Sequence, residues 1–213
     1  MTDVSAQVAE KQYSCLMRFA QFPLPVLPFP GEMMGLHVFE KRYQFLFDEL
    51  EGMQVEEFGI PFSNNGQLLG IGAIMRLVTV KDKKDDGSRD VVVAATGLYR
   101  LTQFEEFPEE HPYPSGRCEP IENWAEWPLG SECEKAKEEL LFVMKSSKLS
   151  TSKLENVGLV RFIQHLGIDA SQRAEILTQG DVQSMQSMVL ERIVLTKKLL
   201  VQNPVKYGGI FMN

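Results

Sequence analysis

Phe22-Pro23-Leu24-Pro25-Val26-Leu27-Pro28-Phe29-Pro30-Gly31 is followed shortly by Leu36-His37-Val38-Phe39-Glu40-Lys41-Arg42-Tyr43. Prolines at every second or third position remove backbone donors and clash with the preceding turn, so residues 22–31 cannot be helical. They suit an extended edge segment with its apolar side chains turned inward, closed by a Pro30-Gly31 turn. Met34 to Phe39 reads as a second short strand. Beyond it, Phe39, Tyr43, Leu46 and Leu50 fall on one face of a helix over about 40–51. Glu40 suits the positive end of that helix's dipole, and Gly52 marks its end.

Working outward, Phe58 to Phe62 is a candidate strand, and Asn64-Asn65-Gly66 a hairpin-type turn, because Asn and Gly tolerate positive φ. Leu68 to Val80 and Val91 to Leu101 form a pair of long β-type runs, and Lys81 to Arg89, with Asp86-Gly87, reads as the solvated loop of a hairpin. Short strands around one helix predict a small, strongly bent sheet or partial barrel. From about Trp127 helical spacing takes over. Ser131-Glu132-Cys133-Glu134 and Ser152-Lys153-Leu154-Glu155 read as capping boxes, the second before a helix from Val157 to Leu166 that Gly167 stops. Asp169 or Ser171 caps a short helix through Ile176-Leu177, ended by Gly180. Asp181 caps the last, which runs to Pro204. Three or four packed helices are expected. The fold class is therefore α+β. A poorly ordered tail is expected over 1–21, although Tyr13 to Phe19 have the material to pack locally; a β subdomain is expected over 22–126 and a helical one over 127–213.

The opening segment and Leu36-His37-Val38-Phe39-Glu40 with Arg42-Tyr43 resemble the start of Lon protease amino-terminal domains, especially stand-alone versions. Gly70-Ile71-Gly72-Ala73-Ile74 resembles a later strand of that family. Asp86-Gly87 sits at its hairpin, and Gly97-Leu98-Tyr99-Arg100-Leu101 resembles a strand end, with Leu101 replacing the usual aromatic. Ser171 to Leu177, Asp181 and Glu191-Arg192 resemble its carboxy-terminal helices. The likeness spans roughly residues 22–203. It implies a PUA-like β-barrel subdomain followed by a helical bundle. It also implies a domain that holds protein substrates and helps assemble subunits.

Lon's catalytic machinery is not in the sequence. There is no G-x-x-x-x-G-K-[ST] loop and no Gly-Lys dipeptide, and the chain ends before a protease domain could begin. No enzymatic activity and no cofactor are expected. The 213 residues are 44% hydrophobic and 24% charged, which is ordinary for a globular protein and unlike disorder. Apolar runs such as Leu140 to Met144 fall well short of the roughly 20 residues of a membrane span. The amino terminus lacks a signal-type apolar region, so a cytoplasmic protein without membrane association is expected. A net charge of -7 argues against a partner chosen through phosphate electrostatics. Cys15, Cys118 and Cys133 are odd in number and lack C-x-x-C spacing, which fits reduced thiols.

Candidate sites are few. His37 reads as structural, its ring bonded to backbone; His165, just before Gly167, suits the last helical carbonyls; and His37, His111 and His165 lie in different elements, so no metal site is expected. Glu105-Glu106 and Glu109-Glu110 read as solvated charge. Arg42 and Arg100 either pair with carboxylates such as Glu40 or bind a ligand. Apolar material is more suggestive: Phe29, Met33 and Met34 surround a turn, and Phe104, Phe107, Tyr113, Trp124 and Trp127 cluster where the halves join. Flexible Met and broad aromatics suit adaptable contact with client proteins or peptides, and a protease or chaperone is a conceivable associate. The competing reading makes the aromatics a buried seam. Two other functions stay open: RNA binding on a PUA-like barrel, and an enzyme with a cleft between the subdomains.

Overall fold

A computed structural model describes residues 17–204 and residue 206. The chain runs β1 (Met17–Ala20), β2 (Met33–Val38), α1 (Lys41–Glu51), β3 (Phe58–Asn64), β4 (Gln67–Lys83), β5 (Arg89–Glu105) and β6 (Ser115–Pro120). A 3-10 turn at Trp124–Glu126 follows, then α2 (Ser131–Ser146), α3 (Leu159–His165), α4 (Ala170–Leu177) and α5 (Val182–Gln202). The result is a mixed α+β fold, with the sheet in the first half and helices in the second. Strand order is β1-β6-β5-β4-β3, and β2 pairs with the start of β5, whose far end carries β6. All these pairings are antiparallel.

The 17-residue strands β4 and β5 carry three register shifts, and each bulge adds bend and twist to the pair. Their hairpin turns at Gly87, where φ is +84°, a conformation that favours glycine. At the other turn, Asn65 and Gly66 both take positive φ, as a tight hairpin between β3 and β4 requires. Helix α1 buries Tyr43, Leu46, Phe47 and Leu50 against the sheet, with Phe22 stacked on Tyr43 at 4.0 Å between ring centres. The segment 21–24 runs beside β3, where Phe22 N–H donates to Gly59 O and Leu24 N–H to Pro61 O.

Several expectations change. Met17–Ala20, assigned to the tail, pair with β6, with Arg18 bridging to Glu105 at 2.9 Å and Phe19 edge-on to Tyr99. Cys15 and residues 13–16 lie outside the described residues. Arg89, read as part of a solvated loop, is 1% exposed and pairs with Asp48 and Glu51 of α1. Ser131 does not cap α2. The cap position is Gly130, at φ +88°, where a Cβ would strike the Gln186 side chain of α5, so a close approach of two elements sets this helix start. Nor does Ser152 start a helix: Thr151 and Glu155 close a turn, Asn156 takes φ +54°, and α3 begins after Gly158, where Leu159 N–H donates to Trp127 O. By contrast, the Asp169 and Asp181 side chains accept from Gln172 N–H and Ser184 N–H, capping α4 and α5.

Helices and sheet share one apolar core that includes Phe29, Phe47, Phe162, Ile163, Leu140 and Ile193. Arginines fasten the halves together. Arg161 donates to Pro30 O at 2.7 Å, Arg173 to Leu27 O and Glu32, and Arg100 to Gln179 O. Arg100 therefore meets a backbone carbonyl of the α4–α5 connection rather than a carboxylate. Arg42 does pair with Glu40, at 3.0 Å.

Candidate functional site

Where the Pro-rich segment meets α4, a groove of about 510 Å³ opens between Val26, Pro28 and Met34 on one side and Ile168 and Ala170 on the other. Its position follows from the prolines. Residues 26–29 lie outside the strands, Pro28 and Pro30 have no N–H to give a ladder, and Leu27 O and Pro30 O accept instead from Arg173 and Arg161 of the helices. Beneath them Phe29 is fully buried, and the Arg173 guanidinium sits 4.7 Å above its ring. Arg173 also holds Glu32 at 2.8 Å and donates to Gln164 O, while Glu32 accepts from Phe29 N–H. The floor is thus a fixed polar clamp, and the lip is Met33, 67% exposed.

The expected binding residues divide. Met33 and Met34 line the groove. Phe29 supports it from below and has no surface to offer. Trp124 and Trp127 are half-buried against the core, with Arg161 5.6 Å from the Trp124 ring, as a seam would place them. Tyr113 is buried, stacks on His111 and donates from its hydroxyl to Glu49 at 2.5 Å; burial first, then that carboxylate, pushes its pKa well above the ordinary tyrosine value. Phe107 is 78% exposed and Phe104 half-buried, but both lie at the far end of β5. Ala94 faces Met33 and Phe104 faces Gly116, so Met33 and Phe104 attach to positions ten residues apart along β5. They do not form a single patch.

Among the described residues, titratable groups gather in one place, a pocket of about 430 Å³ lined by Arg18, Glu110, His111, Tyr113 and Ser115, with His111 Nδ1 3.9 Å from Glu49; the others are scattered. His37 Nδ1 meets Asp90 Oδ1 at 2.7 Å on an exposed face, so its partner is a carboxylate, not backbone. His165 lies in the last turn of α3, and burial, with Lys153 and Arg161 nearby, lowers its pKa. Burial pushes the Cys118 thiol up to about 12 and the Cys133 thiol up to about 11, values of inert core cysteines. Glu105 and Glu110 both bridge to Arg18. Among the described residues no group of three or more His, Cys, Asp or Glu is placed to hold a metal ion, and no helix is long and apolar enough to cross a membrane. A second apolar groove, also about 510 Å³, runs between α2 and α5 beside Phe142 and Val201.

Sequence comparison matches residues 20–206 to the family model of the ATP-dependent protease La (Lon) substrate-binding domain. Among solved structures, the Lon N-terminal domain protein from Xanthomonas campestris is 19% identical, with a TM-score of 0.58, over 81% of this chain and 97% of its own. The N-terminal domain of the Mycobacterium avium complex Lon protease is 10% identical, with a TM-score of 0.60, over 84% of this chain and 98% of its own. At these identities the likeness shows the fold alone. No curated protein matches the sequence.

Proposed function

The chain belongs to the Lon substrate-binding domain family, a non-catalytic protein-binding domain, and on that premise we propose that its groove between the Pro-rich segment and α4 holds unfolded or specific client polypeptides. The observation that carries the reading is the groove itself: apolar walls, an exposed Met33 at the lip and a rigid Arg173–Glu32 floor. Methionine is flexible and polarisable, so a Met-lined surface adapts to varied apolar side chains, while a fixed floor spares the entropy of ordering the site on binding. Charge favours protein over RNA as the ligand. The net charge is -7, and Arg18, Arg76, Lys83, Arg89 and Arg173 are all paired with carboxylates.

In the same reading the β half is a PUA-like partial barrel, supported by the bonds from Phe22 and Leu24 to β3 on the flank opposite β5. The division into units at about 126/127 and a cytoplasmic location belong to it too, the latter supported by the free thiols of Cys118 and Cys133. The test is fluorescence anisotropy with a labelled, permanently unfolded protein such as reduced, carboxymethylated lactalbumin. Binding that weakens about tenfold in Met33→Glu supports the proposal. No binding by the wild type, or equal binding by the variant, removes it.

A further inference from the structure

Among the described residues β2 pairs with β5 alone and leaves its other edge open, whereas the outer edge of β3 is occupied by Gln21 and Leu24. Ala95 of β5 donates to Glu32 O and accepts from Gly31 N–H, so the alternation of an antiparallel ladder assigns Val93, Val91 and Arg89 to Met34, Leu36 and Val38. The N–H and C=O groups of Met33, Gly35 and His37 therefore face outward, and no bond to them occurs among the described residues. The devices that ordinarily blunt an edge are missing: β2 reads Met-Met-Gly-Leu-His-Val, with no proline, lysine or glutamate, and His37 is paired with Asp90. Gly35 leaves the middle of the edge bare, since a Cβ there would meet nothing nearer than Val91 O at 3.9 Å. On the core side Met34 and Leu36 are only half-buried, because no strand lies beyond them.

We propose that the client is captured as an added β-strand: an extended segment with apolar side chains at alternate positions pairs through its backbone with Met33, Gly35 and His37, and one apolar row covers Met34 and Leu36 and enters the adjoining groove. This rests on the client-binding reading and specifies its mode. Main-chain bonds give affinity without sequence identity, and the two-residue side-chain period sets the class of segment accepted. A proline-rich or helical segment cannot supply the pattern.

The test uses the full chain and a synthetic eight-residue peptide alternating valine and threonine. Residue-resolved amide exchange by NMR reads the edge directly: Met33, Gly35 and His37 exchange fast in the free protein and slow at least tenfold with peptide, while Met34, Leu36 and Val38 are protected throughout. Gly35→Pro, which deletes an outward donor and leaves the β5 ladder intact, weakens peptide binding about tenfold, and Phe142→Ala, in the α2–α5 groove, leaves it within about twofold. The edge proposal is overturned if peptide or unfolded protein binds with those three amides unchanged, or if they are already protected in the free protein by a second copy or by another part of the chain. Absence of any client binding overturns the broader reading instead.

Discussion

Arg173→Ala tests whether the groove floor is a built structure. The side chain is 16% exposed and its partner Glu32 28%. The guanidinium bonds both Glu32 oxygens, Leu27 O and Gln164 O, and lies over Phe29. An exposed ion pair contributes about 0.5 kcal/mol, whereas breaking a buried one costs about 3–5 kcal/mol. Partial burial places Arg173→Ala between them, at about 3 kcal/mol once the two stranded carbonyls are included. Glu32→Gln keeps the shape of the acceptor and should cost about 1 kcal/mol. Urea unfolding of both single variants and the double variant gives the coupling, expected near 1.5 kcal/mol. Arg173→Lys should recover little, because an ammonium cannot reach several acceptors in one plane. A coupling below about 0.3 kcal/mol, or a loss below about 1 kcal/mol for Arg173→Ala, would refute the idea that this pair fixes the segment against α4.

Other consequences are as direct. Arg89→Met, which retains the apolar stem but not the guanidinium, should cost about 2 kcal/mol in the same assay. It should also flatten the acid limb of stability: burial raises the Asp48 pKa, but hydrogen bonds from Lys83 and Arg89 outweigh it and hold the group below its ordinary value. A depressed carboxylate stabilises the fold above its unfolded pKa, and that contribution fades as pH falls through the folded one, below about 4. Gly72→Ala drives a methyl into the buried Tyr99 ring and should cost about 2–3 kcal/mol, read as a lower melting temperature. Cys118 should resist maleimide at pH 8 in the native protein and react in urea, since a pKa of about 12 leaves about one thiolate in ten thousand; site-resolved mass spectrometry reports it apart from Cys15.

What could be read from sequence was what neighbours in the chain decide. The apolar face of α1, the Asn65-Gly66 turn and the Asp169 and Asp181 caps follow from residues within four positions of one another. Ser131 and Ser152 carry the same local signal, yet partners from α5 and from Trp127 override it. Arg89 looked solvated because its partner Glu51 stands 38 residues earlier. Arg173, the centre of the groove floor, had no local signal at all: its bonds to Leu27 and Glu32 span more than 140 residues. The groove was half legible, since Met33 and Met34 stand out by composition, whereas the set Phe104, Phe107, Tyr113, Trp124 and Trp127 divides into exposed and buried positions that a sequence does not distinguish.

Site-specific photo-crosslinking measures where a client sits. A benzophenone side chain placed at Met33, and separately at Phe142 in the α2–α5 groove, would be irradiated with carboxymethylated lactalbumin. Strong crosslinks from position 33 and background from 142 are expected; crosslinks from 142 with none from 33 would move the client to the α2–α5 groove.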